Sequence, residues 1–309
     1  MREVKHVNLK TYAGDGRKPV GDLYDDFERF EDDFWIRNRI HNQEFKTKRK
    51  GRKHTLPIFG YRTELKGPAI WIISGIHGEE PAGPNAIAEH IGFLNDLAKK
   101  IPLVVLPLCN PVGYTLNWRY PDLRRYKKGF PDRSVGSSEH FLPDLKDPKK
   151  ARSKKPLCEE AEDITNYVIK NIKRYPPVLV LDFHEEEGST STYIDSQGKL
   201  GLNDPVAKEV VAVLKTKDFK IRMKGKTQFG EIVFNGIIKK FQDSSIDELL
   251  ASKYIIVNGN IKRKIAAKSV VVIETNTINV PIKHRIKTHA EILLSADKFF
   301  DMARTNGKK

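Results

Sequence analysis

Ile70-Trp71-Ile72-Ile73-Ser74-Gly75-Ile76-His77-Gly78-Glu79-Glu80 is the stretch that decides the fold. Its apolar residues run on without alternating, which is the pattern of a strand covered on both faces. The run predicts a buried strand over residues 69–76 that ends in a His-x-x-Glu pair, His77 and Glu80. A strand end can aim both side chains into one cleft, where a neutral imidazole and a carboxylate bind one divalent metal. The pair alone is a weak signal, and its meaning depends on a third ligand and a base elsewhere.

Three more apolar runs resemble the first, at residues 103–108, 178–183 and 270–274. A further strand is expected over residues 54–61, and another over residues 219–224. Helical patterns lie between them. Pro81 starts one that reaches about residue 100, and others cover residues 159–174, 204–215, 245–252 and 284–304. Apolar strands alternating with helices predict an α/β chain, with a largely parallel sheet covered on both faces. No repeat or linker divides the 309 residues, so one domain spanning 1–309 is expected, with residues 1–54 as an irregular N-terminal extension. Within that extension, residues 25–33 carry six acidic residues and residues 46–53 carry six basic ones. The two runs pair as a folded prologue or flank a β-hairpin. Asn110-Pro111-Val112-Gly113 reads as a turn, and residues 114–156 as a long ordered loop of the kind that usually serves function.

Lys and Arg number 55 against 40 Asp and Glu, a formal charge of +15. That balance favours anionic partners, among them substrates with free carboxylates. Two cysteines, Cys109 and Cys158, are too few for a disulfide framework and read as reduced thiols. The N-terminus shows no apolar signal region, and no apolar stretch approaches the ~20 residues of a membrane span. The expectation is therefore a cytoplasmic protein without membrane attachment.

Nine histidines are present, and only His77 and His184 directly follow a buried-strand pattern. Groups that bind or react in α/β sheets gather beyond the carboxyl ends of the strands. His77, Glu80 and His184 are accordingly the expected ligands of one Zn²⁺ per chain. Two imidazoles and one carboxylate leave a coordination position open, as in catalytic zinc sites. Such a site needs a general base. Glu274 supplies one, at the end of Val270-Val271-Val272-Ile273. Burying an unpaired carboxylate costs several kcal/mol, so its place needs a reason. His90, His284 and His289 lie in helices and read as surface or core residues, and His140 stays open.

In this order the four residues resemble the zinc carboxypeptidases, the carboxypeptidase A-like superfamily, over about residues 55–300. The chain is nearer to uncharacterised bacterial members than to the digestive ones. The resemblance implies a mixed sheet of about eight strands flanked by helices. It also implies hydrolysis of a C-terminal amide bond of a peptide by metal- and Glu274-activated water. Asn110-Pro111-x-Gly113 is similar to the turn preceding the family's substrate arginines. Arg119 then matches the arginine that stabilises the oxyanion, and it is both a catalytic and a substrate-binding candidate. The Asn-Arg pair expected to clamp the substrate carboxylate is replaced by Gly136-Ser137-Ser138-Glu139-His140. Arg124, Arg125 and Arg133 are the alternative candidates for that carboxylate, and Tyr254 is the candidate for the family's active-site tyrosine.

A chemically close alternative is an N-acyl amino acid amidohydrolase of the succinylglutamate desuccinylase and aspartoacylase branch. Its ligand spacings are shorter than the 104 positions from Glu80 to His184 and the 90 from His184 to Glu274. The substrate is a peptide or acyl amino acid with a free carboxylate on either reading. Nucleic-acid binding through residues 46–53 and Lys149, Lys150, Arg152, Lys154 and Lys155 is the weaker reading, because these runs lack interleaved aromatics. A catalytically dead binding module is weaker still, since all four chemical residues are present.

Overall fold

The computed structural model describes residues 11–46, 53–120, 158–239, 245–257 and 260–305. Helix α1 (Val20–Phe27) precedes strands β1 (Trp35–Lys46) and β2 (Lys53–Thr63). Then come β3 (Ala69–Ser74), α2 (Ala82–Glu89), α3 (Ile91–Ala98), β4 (Leu103–Leu106) and α4 (Pro111–Leu116). Helix α5 (Glu159–Asn171) leads into β5 (Pro177–Glu186), β6 (Tyr193–Ser196) and α6 (Pro205–Thr216). Next are β7 (Lys224–Lys226), β8 (Ile232–Phe234), β9 (Ile237–Lys239), α7 (Ile246–Ala251), β10 (Tyr254–Val257) and β11 (Asn260–Arg263). Strand β12 (Ser269–Asn276) and helices α8 (Ile282–Leu293) and α9 (Ala296–Thr305) complete the chain.

Ten strands form one mixed sheet in the order β1-β2-β4-β3-β5-β12-β6-β9-β8-β7, and β10 pairs with β11 in a separate ribbon. The parallel heart is β4-β3-β5-β12, and antiparallel pairs flank it. Every residue of β3 is buried. Alternation sends Ile70 and Ile72 into a core shared with α1–α3, α6 and α9. Trp71 and Ile73 enter the opposite core, under α5 and α7. Each such side chain contributes about 1.5–3 kcal/mol on burial. The Trp71 indole N–H is not orphaned, since it donates to Tyr175 O at 2.9 Å.

Both long helices of the sequence pattern are broken, by the same device. His90 turns its ring Nδ1 to Ala86 O (3.0 Å), and its own N–H moves to Ile87 O. Ser295 donates its Oγ to Glu291 O (3.0 Å), and its N–H moves to Ile292 O. Each side chain takes the i−4 carbonyl, and the backbone slips to i−3. The stretch expected to be irregular at the N-terminus holds α1 and β1. The last rung of the β1–β2 pairing joins Lys46 to Lys53, the two ends of the basic run, and residues 47–52 between them lie outside the described residues. The strand expected over residues 219–224 is reduced to a bridge between Thr192 and Ile221, with β7 starting only at Lys224. Strands β6 to β11 escape the sequence pattern because they are three or four residues long and, unlike the equally short β4, are not part of a longer unbroken apolar run. Neither Cys109 nor Cys158 is joined in a disulfide. Among the described residues, no helix is long and apolar enough to cross a membrane.

Candidate metal centre

The carboxyl ends of the parallel strands converge at one point. After β3 the chain turns at Gly75, whose φ of +64° is open to glycine at little cost, and His77 follows. His184 lies on β5, and Glu274 stands beside it on β12 as its register partner. Parallel pairing puts the side chains of partnered residues on one face of the sheet, so His184 and Glu274 share the cleft side.

His77, Glu80 and His184 are buried, and their ligating atoms all lie within 4.8 Å of one another. His77 Nδ1 is 2.6 Å from Glu80 Oε1, and His184 Nδ1 is 2.9 Å from Glu80 Oε2. The two Nδ1 atoms are 3.2 Å apart. Protons on both nitrogens would crowd each other. Two imidazole nitrogens and a carboxylate aimed at one point are instead a donor set suited to a divalent cation. Asp182, fully buried on the same face of β5, lies 3.2 Å from His184 Nε2. A carboxylate on the far nitrogen fixes the ring's orientation and raises its basicity.

The charges fit the same reading. Burial, aided by the Arg119 charge, lowers the His77 pKa to about 4, so its imidazole is neutral. Burial also acts to lower His184, but Asp182 and Glu80 outweigh it and hold the ring well above its ordinary value. Two carboxylates thus hold positive charge where a cation would sit. Burial pushes Glu274 up to about 8, with neighbouring Glu80 and Glu186 adding to the shift and His184 opposing it.

Arg119 reaches this centre. Its guanidinium donates to Glu79 Oε1 (2.9 Å) and Glu80 Oε1 (3.1 Å). Burial works against its charge, and Glu80, Glu79 and Glu274 more than offset it. The Asn-Pro-x-Gly signal is a helix start: Asn110 caps α4 by accepting from Gly113 N, and Pro111 occupies the first turn. Asn110 Nδ2 also donates to Arg119 O (3.1 Å), so the cap sets the arginine's place. Tyr254 is not brought in. It stands on the β10–β11 ribbon, 47% exposed, and makes no hydrogen bond to these residues. Tyr193 on β6 is the tyrosine that faces Glu274 across the sheet. Arg124, Arg125, Arg133 and His140 lie outside the described residues.

Three further residues at this centre do not follow a buried-strand run as the ligand candidates His77 and His184 do. Asp182 carried a usable signal, a carboxylate inside the apolar run Leu181-Asp182-Phe183. Glu185 accepts from Ala82 N at the start of α2 (2.7 Å) and pairs with buried Arg285. His289, fully buried, lies 3.2 Å from Thr275 Oγ1, and that hydroxyl also donates to His184 O. Neither of these two shows a pattern in the sequence.

No family model matches the chain, and no curated protein matches it in sequence. Solved structures do match. One is described as a candidate metallopeptidase from Shewanella baltica, with a TM-score of 0.66 at 17% identity, covering 91% of this chain and 90% of that one. Bovine thrombin-activatable fibrinolysis inhibitor, solved in complex with tick carboxypeptidase inhibitor, aligns at 0.61 and 16% identity over 94% and 98% of the two chains. Carboxypeptidase A from Helicoverpa armigera aligns at 0.59 and 14% identity over 96% and 75%. At such identities the likeness establishes a shared fold, that of the metallocarboxypeptidases.

Proposed function

We propose that the chain is a zinc-dependent metallocarboxypeptidase that hydrolyses the C-terminal amide bond of a peptide. The observation that carries this reading is the convergence of His77 Nδ1, Glu80 and His184 Nδ1, with Glu274 as the register partner of His184. His77, Glu80 and His184 would hold the zinc, and Asp182 would orient His184. Bound there, zinc supplies Lewis-acid polarisation of a carbonyl and a lowered pKa for water.

Glu274 acts as general base, taking a proton from the attacking water on its carboxylate and passing it to the leaving nitrogen. It is half-buried at the strand end, so its carboxylate is open to a water entering from the cleft. Arg119 directs its guanidinium to the oxygen on which negative charge develops. Glu79 and Glu80 hold that guanidinium beside the ligands. The substrate carboxylate falls to an arginine, whose planar fork suits bidentate binding, with Arg124, Arg125 and Arg133 as candidates.

Zinc-loaded protein should release the C-terminal residue from unblocked peptides, and Glu274→Gln should abolish turnover while keeping zinc and fold. Cleavage of N-acyl amino acids with peptides left intact would move the assignment to the amidohydrolases. Full turnover by Glu274→Gln would remove the assigned base.

A further inference from the structure

We propose that Arg17 is a positioning residue, which from the N-terminal segment ties the loop of His77 and Glu80 to the loop that carries Arg119. The inference rests on the metal reading above and extends it to the N-terminal segment, 60 positions before His77 in sequence.

The Arg17 side chain is fully buried. Its Nη1 donates to Gly78 O (3.1 Å) and to Tyr114 O (2.9 Å), and its Nη2 donates to Asn117 Oδ1 (2.6 Å). Asp15 supplies the counter-charge, accepting from Nε at 3.0 Å and from Nη2 at 2.5 Å. The guanidinium also lies over the Tyr114 ring, 5.0 Å from its centroid. One planar cation therefore bridges two stretches remote in sequence: residue 78 between the ligand candidates, and the end of α4 at Tyr114 and Asn117, just before Arg119.

The opposite side of the Gly78 unit is held as well, since Gly78 N donates to Arg119 O. Gly78 thus has its carbonyl on Arg17 and its amide on the Arg119 backbone. Asn117 sits at φ +52°, the left-handed residue that closes α4. A simple anchor for the N-terminal arm would not need a charge, because a buried ion pair is seldom more stabilising than apolar packing. The arm already has neutral ties, with Tyr12 N donating to Thr115 O and Tyr114 Oη donating to Lys18 O. What only arginine offers is several donors in one rigid plane. That plane fixes the spacing between the two loops whose side chains meet at Arg119–Glu80.

The test compares full-length wild type with Arg17→Met. Zinc affinity is read by chelator competition, and amide exchange is read in peptides covering residues 75–80 and 113–119. The expected result is zinc affinity weakened by about 10–100-fold, the scale of lost outer-sphere support. Faster exchange in both segments and a fall in kcat larger than any change in KM should accompany it. Millimolar guanidinium should restore part of the zinc affinity to Arg17→Ala, which a general loss of stability would not allow. Where these variants fail to fold, Asn117→Gly removes one partner of the clamp and keeps the left-handed backbone, and it should shift zinc affinity in the same direction. Wild-type zinc affinity and exchange, with only a lower Tm, would overturn the proposal. Wild type that takes up no zinc would sink the metal reading, while the exchange data would still decide the clamp.

Discussion

Replacing Gly78 by alanine asks how tightly the two loops at the centre are pressed together. A Cβ built on Gly78 lies 2.1 Å from Gly113 C, 2.4 Å from Gly113 Cα and 2.4 Å from Trp118 O. All three are backbone atoms, so no side-chain rotation relieves the clash. Ordinary contact begins at 3.4 Å, and the loops must part by about 1.3 Å to reach it. Overpacking of this kind costs roughly 1–3 kcal/mol. In a chain of 309 residues that lowers Tm by roughly 1.5 °C per kcal/mol. A shift of about 1 Å beside reacting groups costs roughly 10²-fold in rate. The assay is thermal unfolding of the metal-free protein, paired with zinc competition and peptide turnover. Gly92→Ala is the control, because its added Cβ meets nothing within 4 Å and α3 gains up to about 1 kcal/mol of helix propensity. Wild-type zinc affinity and turnover in Gly78→Ala would refute the close approach of the loops, and with it the account of how Arg119 is placed.

His184→Ala should weaken zinc binding by more than about 100-fold, beyond the loss from outer-sphere changes, and unchanged affinity by competition titration would remove it from the ligand set. Asp204 caps α6 through Val206 N and accepts from Ser269 Oγ at 2.6 Å. Burial nevertheless holds its carboxyl above the ordinary 3.8. A folded-state pKa above the unfolded one means stability present at low pH and lost as pH rises through the carboxylate range. Asp204→Asn should therefore flatten the fall of Tm from about pH 3.8 upward, and parallel profiles for the two proteins would refute this.

The central strands, and the meeting of His77, Glu80, His184 and Glu274 at their carboxyl ends, are legible because each carries its own local signal. Leu179, Val180 and Leu181 are apolar on both faces, and His184 and Glu274 are polar groups set at the ends of such runs. Arg119 is singled out by the resemblance to the carboxypeptidases, and the structure adds the Asn110 cap that holds its carbonyl. What stayed hidden depends on partners far away in sequence. Arg17 is one arginine among many until Gly78 O, Tyr114 O and Asn117 meet it. The break at His90 follows from one side chain choosing the carbonyl of Ala86, which competes with a helical pattern that is otherwise continuous. Tyr254 rests on the family resemblance, which says nothing about which ribbon a residue joins.

The pairing of β5 with β12 bears on how this chain can vary. The separation of His184 from Glu274 is set by hydrogen bonds between neighbouring strands, not by the 90 positions of chain that join them. Loops between the two strands can therefore lengthen or shrink without moving His184 relative to Glu274, whereas β6, which pairs with β12 and sets Tyr193 beside Glu274, cannot. A single residue gained or lost inside β12 is different, because it would turn Glu274 to the opposite face of the sheet. Tolerance to insertion and deletion should switch off sharply at Ser269 and switch on again after Asn276.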